Sequence, residues 1–334
     1  MLSLFCAPSC STSACLDDPL RVLKHMNGCP SGRWQQEVAD ALPRVHPVLF
    51  LNIGSNKGYS LLEFLNLWSP VRVTGKEWRR EIMRYAEINR HGFLKYTPCG
   101  NCDDCKRPLP SPHQRRHGFV HAFELAPPTR AVLRHLICKT NLTQMVTLHE
   151  QAVSNSTKPV YIYKTRAGDE RSSIASMDAS NCSASHDPCM EMVPAVTVDS
   201  FLQSESMKSL PVYHVSIDVE GYEPLVLDGM RDTLRQKRVS LLEFEVSDKG
   251  FWAPYKRATR YSERRDLGKI IEGLASMGYT CFWQANDKLV PMSGTCWRSE
   301  FEVQRSSGWN HWSNVLCAHE LPVLQVLRQF TGLE

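Results

Sequence analysis

Two stretches, VLFLNIGSNKGYSLLEF at Val48–Phe64 and VHAFELAPPT at Val120–Thr129, hold the residues whose types and spacing point most directly to chemistry. In the first, the unbroken apolar run Val48–Ile53 has the character of a strand buried on both faces. Gly54, Ser55, Asn56, Lys57 and Gly58 then turn the chain into an amphipathic helix. Gly54 and Gly58 lack Cβ, so the backbone can take positive φ and come close to a ligand, while free N–H groups at the helix start favour an anionic group such as a carboxylate. In the second, Val120–Phe123 is a short strand ending at Glu124, whose ionised oxygens can accept hydrogen bonds from both hydroxyls of a ribose. A glycine turn alone is ordinary turn chemistry, and a lone Glu is commonly a solvated charge. In this order they describe a site for an adenosine ligand with a free carboxylate; S-adenosylmethionine is one, and methyl transfer is the reaction implied.

Further candidates lie downstream. Asp218 and Glu220 sit where a fourth strand, Val212–Ile217, leaves the sheet, at the carboxyl edge where open α/β sheets bind ligands. Asp218 is the first choice to face the reacting centre and Glu220 the second, with capping of the Gly221 turn as the competing role for Glu220. Glu243 and Glu245 share one side of a fifth strand by alternation. Glu243 is expected to line an acceptor pocket and Glu245 to mark the sheet edge, whereas His214 reads as a satisfied core histidine. The run CGNCDDC puts Cys99, Cys102 and Cys105 at metal-ligand spacing, and His113, His117 or Cys29 could complete a tetrahedral structural zinc site. The same thiols could instead pair as disulfides or stay unlinked. Trp68 and Trp78 read as packing rather than a sugar platform.

These residues need a scaffold. The interval from Gly58 to Glu124 far exceeds the roughly 20 residues of a compact unit, so an insertion separates the first two strands. Residues 1–47 form an N-terminal extension with a helix at Arg33–Leu42. Residues 48–319 form the catalytic domain, with the insertion at about 69–118, and 320–334 a closing helix. Within the insertion Lys76–Asn89 has helical spacing of Trp78, Ile82, Tyr85 and Ile88, and His91–His117 is irregular. A helix at Pro128–Lys139, a third strand at Met145–Val153, an added hairpin strand at Val160–Tyr163, a polar loop at Asp178–Pro188 and a fifth strand at Val239–Val246 follow. A helix at Leu267–Met277 and strands at Tyr279–Trp283 and Ser313–Ala318 complete the pattern. Strands alternating with helices predict an α/β, Rossmann-like sheet, mostly parallel, with helices on both faces and a last strand entering antiparallel.

With VSIDVEGYEPLVLDGM at Val215–Met230 added, the chain resembles the FkbM family of S-adenosylmethionine-dependent methyltransferases. The family's glycine loop, ribose segment, V-x-x-x-D-x-[FL] stretch and I-D-[VI]-E-G-x-E block look like Asn52–Gly58, Ala122–Ala126, Val196–Leu202 and Ile217–Gly229. LLEFEV at Leu241–Val246 and NVLC at Asn314–Cys317 extend the likeness. The resemblance implies a class I methyltransferase fold and S-adenosylmethionine as donor. It also implies O-methylation of a hydroxyl on a glycan or small natural product. The candidate donor contacts are Asn52, Gly54, Ser55, Asn56, Gly58, Glu124, Ala152 and Asp218, and the catalytic candidates are Asp218, Glu220 and Glu243. Asn52 stands where the family usually has Asp, Ser216 where Lys is frequent, and Leu125 where Pro is expected. Asn52 and Ser216 prompt the alternative of a catalytically silent binder of S-adenosylmethionine or a related nucleotide.

Composition bounds the rest. The 334 residues, 42% hydrophobic, suffice for one large core, and the formal net charge of +4 is mild. Arg115–Arg116 and Glu263–Arg265 are small basic spots that read as solvated faces rather than a nucleic-acid groove. No apolar stretch approaches the roughly 18 residues of a membrane span, and Leu2–Ala7 lacks the form of a secretory signal, so a soluble chain is expected. A dinucleotide oxidoreductase fits less well, since G-x-N-x-G lacks the closely spaced glycines that admit a pyrophosphate. Thirteen cysteines and N-x-[ST] sequons at Asn141, Asn155 and Asn181 lean toward a secretory lumen and leave the cytoplasm open.

Overall fold

The computed structural model describes residues 15, 29, 32–42, 47–88, 98–99, 102–106, 117–163, 165–168, 174–176, 191–204, 207–208, 210–252, 265–285, 288–303 and 313–331. The expectations on His113, Arg115–Arg116, Asn181 and the loop Asp178–Pro188 fall outside them.

The chain begins with α1 (Arg33–Ala41), then β1 (Val48–Ile53), α2 (Tyr59–Trp68) and α3 (Gly75–Ile88). Next come β2 (Gly118–Phe123), α4 (Pro127–Lys139) and β3 (Val146–His149). Five short strands follow: β4 (Ala152–Val153), β5 (Val160–Ile162), β6 (Ile174–Ser176), β7 (Glu191–Val193) and β8 (Ala195–Val196). Then come α5 (Val198–Leu202), β9 (Val212–Ile217), α6 (Glu223–Asp228), α7 (Arg231–Arg235) and β10 (Val239–Val246). The chain closes with α8 (Leu267–Ser276), β11 (Thr280–Gln284), β12 (Leu289–Pro291), α9 (Glu300–Val303), β13 (Ser313–Ala318) and α10 (Leu321–Gln329).

Eight strands form the main sheet in the order β12-β11-β13-β10-β9-β1-β2-β3. From β3 to β10 the neighbours are parallel, and β13 enters antiparallel between β10 and β11. The expected mostly parallel α/β sheet with an antiparallel last strand is therefore present, widened by the edge strand β12. The predicted third strand is divided: β3 stops at His149, and Ala152–Val153 pairs with β8 in a separate two-stranded ladder. The hairpin strand expected at Val160–Tyr163 is β5, the middle of a three-stranded antiparallel sheet.

β1 is apolar throughout because both of its faces are covered. Leu49, Leu51 and Ile53 join a core that includes Val226, Leu234 and Ile271, whereas Phe50 joins the opposite core with Leu61, Leu65, Val132 and Leu136. Inside the insertion, Thr74 and Glu77 form a capping box that starts α3: the Glu77 N–H donates to Thr74 Oγ1 at 3.1 Å and the Thr74 N–H to Glu77 Oε2 at 2.8 Å. Trp78 and Ile82, one turn apart, are then buried together. Four disulfides occur among the described residues: Cys15–Cys296, Cys29–Cys102, Cys99–Cys105 and Cys281–Cys317. Cys138 is free and exposed. Among the described residues no helix is long and apolar enough to cross a membrane.

Candidate functional site

The parallel register brings Phe123, Ile53 and Ile217 side by side, with Phe244 beyond Ile217, so the loops after β2, β1, β9 and β10 leave from one carboxyl edge. Gly54, Glu124 and Asp218 all lie there. The turn after β1 is held by its neighbour. The N–H groups of Gly54 and Ser55 both donate to the Phe123 carbonyl, at 3.0 and 2.9 Å, and the Gly58 N–H donates to the Ser55 carbonyl at 2.8 Å. Gly54, Asn56 and Gly58 take φ of 84°, 44° and 77°.

Both glycines take the expected positive φ, and the space left by their missing Cβ atoms is filled by the protein itself. A Cβ on Gly54 would lie 1.7 Å from the Asp218 carbonyl oxygen, and one on Gly58 would lie 2.7 Å from Leu133 Cδ1 and 3.0 Å from Trp78 Cζ2. The absent methyl groups make room for this chain's own backbone and core. Trp78, from the insertion, also donates its indole N–H to the Lys57 carbonyl at 2.7 Å. The insertion thereby braces the turn, and Trp68 and Trp78 are both buried, as packing residues should be.

Glu124 is 6% exposed, and its oxygens accept the Asn56 N–H and the Ala126 N–H, each at 2.8 Å. Burial pushes its carboxyl above the usual range, while the two N–H bonds pull the other way. Two of roughly four lone-pair sites are thus taken, leaving acceptor capacity for a ligand. The Asn56 side-chain Oδ1 is buried and has no hydrogen-bond partner among the described residues. Asn52 and Ser55 serve the fold: Asn52 Oδ1 accepts from Ser60 Oγ at 3.3 Å, and Ser55 Oγ donates to the Asn52 carbonyl at 2.9 Å. Ala152 is buried in its short ladder, with its N–H donated to the Pro194 carbonyl at 2.9 Å.

After β9 the chain makes a tight turn, with φ of 59° at Glu220 and 99° at Gly221. A Cβ on Gly221 would meet the Lys249–Gly250 backbone at 2.6 Å, so the turns after β9 and β10 pack directly on one another. Asp218 is exposed at this edge. Glu220 is ion-paired with Lys249. Burial and the adjacent Asp218 push the Glu220 carboxyl up to about 8, with Lys249 opposing. The capping role considered for Glu220 belongs instead to Glu223. Its Oε1 accepts the N–H of Val219 at 2.9 Å and of Gly221 at 3.2 Å, and its Oε2 accepts the Trp252 indole N–H at 2.6 Å. Burial raises Glu223 to about 7 despite those donors.

The two acids on this side of β10 have different partners. Glu243 lines an internal cavity with Trp34, Phe50, Phe64, Tyr213, His214 and Ser216, beneath α1 and α2. Its Oε1 accepts from Gln284 Nε2 at 2.6 Å and Asn314 Nδ2 at 2.8 Å, and His214 Nε2 lies 3.2 Å from Oε2. Burial would raise the carboxyl, but His214, Asn314 and Gln284 outweigh it and hold Glu243 below the usual range. His214 is a core histidine, as expected. Glu245, expected to do no more than mark the sheet edge, is the acid that β10 delivers to Asp218: one carboxylate oxygen each from Asp218, Glu223 and Glu245 lie within 4.8 Å of one another. Glu243 is committed elsewhere.

Sequence reading gave no role to Glu223, Lys249 or Trp252. The I-D-V-E-G-Y-E run contained the signal for Glu223, since an acid two residues past a glycine turn can accept that turn's N–H groups. In the cysteine loop, Cys99 pairs with Cys105 and Cys102 with Cys29, so these sulfurs are not available as zinc thiolates, and the disulfide alternative is the one the structure takes.

The fold and this edge define an α/β protein of the class I methyltransferase kind. The Methyltransferase FkbM domain matches residues 100–281, more than half of the chain, and the chain belongs to that family. The match includes Glu124, Asp218, Glu223 and Glu245 and begins beyond the Gly54–Gly58 turn. Among solved structures, the FkbM methyltransferase of Methylobacillus flagellatus KT is similar at 9% identity and a TM-score of 0.38, over 81% of this chain and 43% of that one. The chain thus spans less than half the length of that protein. TrmK of M. capricolum, solved with S-adenosyl-homocysteine, is similar at 8% identity and a TM-score of 0.34, over 87% and 69% of the two chains. A putative S-adenosylmethionine-dependent methyltransferase from Listeria monocytogenes aligns at 10% identity and a TM-score of 0.34, over 91% and 100%. No curated protein matches. Family membership rests on the domain match.

Proposed function

We propose that this chain is an S-adenosylmethionine-dependent methyltransferase that methylates a hydroxyl of a glycan or small natural product. The observation that carries the reading is the pairing, at one edge, of Glu124 with spare acceptor capacity and a buried Asn56 Oδ1 that lacks a donor among the described residues. A ribose hydroxyl and a ligand ammonium are donors of the kind those atoms require. Gly54, Ser55 and Gly58 shape the turn, and Asn52 accepts the Ser55 and Ser60 hydroxyls beside it.

When bound, the donor supplies a methyl carbon that leaves its sulfonium for the acceptor oxygen. The protein holds that oxygen in line, and positioning of this kind lowers barriers by up to about 7–11 kcal/mol. Asp218, exposed beside the turn, accepts the proton the hydroxyl releases. Glu220 is tied to Lys249 and keeps the Asp218 turn in place. The disulfides, together with exposed sequon residues Asn141 and Asn155, support residence in a secretory lumen.

Calorimetry with S-adenosylmethionine, S-adenosylhomocysteine and NAD tests the donor, and a labelled-methyl assay over extracted glycans and metabolites tests the transfer. Binding of the first two without NAD, and label in a hydroxyl-derived ether, is the expected result. Donor binding with no labelled product from any extract would favour the silent binder, the alternative prompted by Asn52 and Ser216.

A further inference from the structure

The oxygens of Asp218, Glu223 and Glu245 that approach within 4.8 Å belong to three elements of the carboxyl edge: the turn after β9, the start of α6 and the end of β10. Glu245 is only 8% exposed, and its Oε2 has no hydrogen-bond partner among the described residues. A buried carboxylate oxygen in that state carries a desolvation cost of a few kcal/mol unless something positive reaches it. Among the described residues, the charges acting on Glu245 are Asp218, Glu223, Glu220 and Lys249. Three of these are acids, and the ammonium of Lys249 is ion-paired with Glu220. On the β13 side, Asn314, the register partner of Glu245, donates its amide to Glu243 instead.

We propose that Asp218, Glu223 and Glu245 form a divalent-cation site at the carboxyl edge. The donor set is all carboxylate oxygen, the chemistry chosen by calcium, magnesium and manganese rather than by zinc or copper. Two ligands on opposite sides of an ion are separated by twice its bond length, about 4.6–5.2 Å for calcium and about 4.0–4.2 Å for magnesium. Oxygens that all lie within 4.8 Å of one another are close enough to share one such ion. Glu223 keeps its N–H bonds while offering a remaining lone pair, Glu245 supplies the unpartnered oxygen, and Asp218 closes the site from the exposed side. Water or an acceptor oxygen fills the open positions, where the ion would lower the pKa of a bound hydroxyl. That last role rests on the methyltransferase reading, whereas binding of the ion does not.

The test uses the full chain after chelation, titrated with calcium by calorimetry and followed by thermal melting. Terbium, a calcium-sized oxygen-seeking ion, adds an optical readout, because Trp252 donates to Glu223 at 2.6 Å and can sensitise its emission. One calcium per chain, a raised Tm and sensitised terbium emission are expected. Glu245→Gln should abolish all three while leaving the ion-free Tm unchanged or higher, since it removes an acid from a like-charged cluster. Asp218→Asn should weaken binding at least tenfold. Absence of calcium, magnesium and manganese binding at millimolar concentration, or binding that Glu245→Gln retains, overturns the site. S-adenosylhomocysteine titrated in chelator separates the two proposals: its binding without calcium binding defeats this site alone, and calcium binding without it defeats the donor reading alone.

Discussion

The Asn56 N–H donates to Glu124 Oε2 at 2.8 Å, tying the turn after β1 to the end of β2. The acid proposed to clamp a ribose is therefore also a brace for the neighbouring loop. Its second oxygen, held by the Ala126 N–H, fixes the entry to α4. One carboxylate, at 6% exposure, therefore joins the two loops.

That double role sets the form of the first prediction. Glu124→Gln keeps one acceptor oxygen but offers an amide where a second acceptor is needed, so donor affinity should fall by the value of a charge-assisted hydrogen bond, about 1.5–3 kcal/mol. Calorimetry with S-adenosylhomocysteine should show a loss of roughly 10- to 100-fold. Glu124→Ala also strands two N–H groups, so its Tm should drop as well. Unchanged affinity in a folded Gln variant would remove Glu124 from the clamp.

At Gly54 a methyl group is enough. Its Cβ would sit 1.7 Å from the Asp218 carbonyl oxygen, at a φ of 84° that L side chains rarely adopt. Gly54→Ala should cost at least about 2 kcal/mol, and Gly54→Val should prevent folding, rather than only blocking a ligand. Thermal melting decides this: a wild-type Tm for the Ala variant would mean that the two backbones do not approach so closely.

The elements legible in the sequence are those whose burial leaves a pattern. β1, β9 and β10 are apolar runs because both faces are covered, and their ends were placed within a residue. β12 was not legible, because a three-residue edge strand has no periodicity to read. The end of β3 was merged with β4, since nothing local says that Ala152 pairs with Ala195 rather than continuing beside β2. At the site, spacing identified Glu124 and Asp218 as edge residues, but two acids one alternation apart are separated by about 6.6 Å along a strand. Only tertiary packing, through Gln284 and Asn314, commits Glu243 inward and leaves Glu245 beside Asp218. Cysteine pairing was out of reach for the same reason, because spacing does not fix connectivity.

A pH dependence follows from His121 and His149. Their ring nitrogens lie 2.7 Å apart, stacked beside Phe123 and Phe201. Burial, and then His149, lowers His121 to about 4, and burial lowers His149 as well. The unfolded chain takes up these protons near pH 6.5 and the folded chain only well below it, so the stabilisation is fully present above about 6.5 and lost as pH falls toward 4. His121→Gln should flatten the slope of Tm against pH in that window relative to wild type. A difference curve with no pH dependence between 4 and 6.5 would mean that the pair protonates normally when folded.

The cross-strand pair Cys281–Cys317 joins register partners on β11 and β13 with a sequence separation of 36. Loop-closure entropy assigns such a link about 3–4 kcal/mol. Cys281→Ala with Cys317→Ala should lower Tm accordingly, and peptide mapping without reductant should recover Cys29 linked to Cys102. Stoichiometric zinc with free thiols at Cys99, Cys102 and Cys105 in the purified protein would refute the pairing in the insertion.

Asp218 offers the sharpest separation of chemistry from binding. Its backbone belongs to the scaffold, since the Asp218 N–H donates to the Ile53 carbonyl at 2.9 Å and its own carbonyl packs on Gly54. Its side chain is exposed at the carboxyl edge. Asp218→Asn preserves both backbone contacts and the shape of the side chain while removing the charge. Affinity for S-adenosylmethionine should therefore stay close to wild type, whereas turnover of a hydroxyl acceptor should fall by roughly 10²–10⁴ if the carboxylate is the general base. A group that only positions the acceptor would show a smaller loss, with no change in the pH profile of turnover. Removing a base should instead erase the acidic limb of that profile, because the group whose ionisation defines the limb is gone. Retention of that limb together with near wild-type turnover would exclude Asp218 as the proton acceptor.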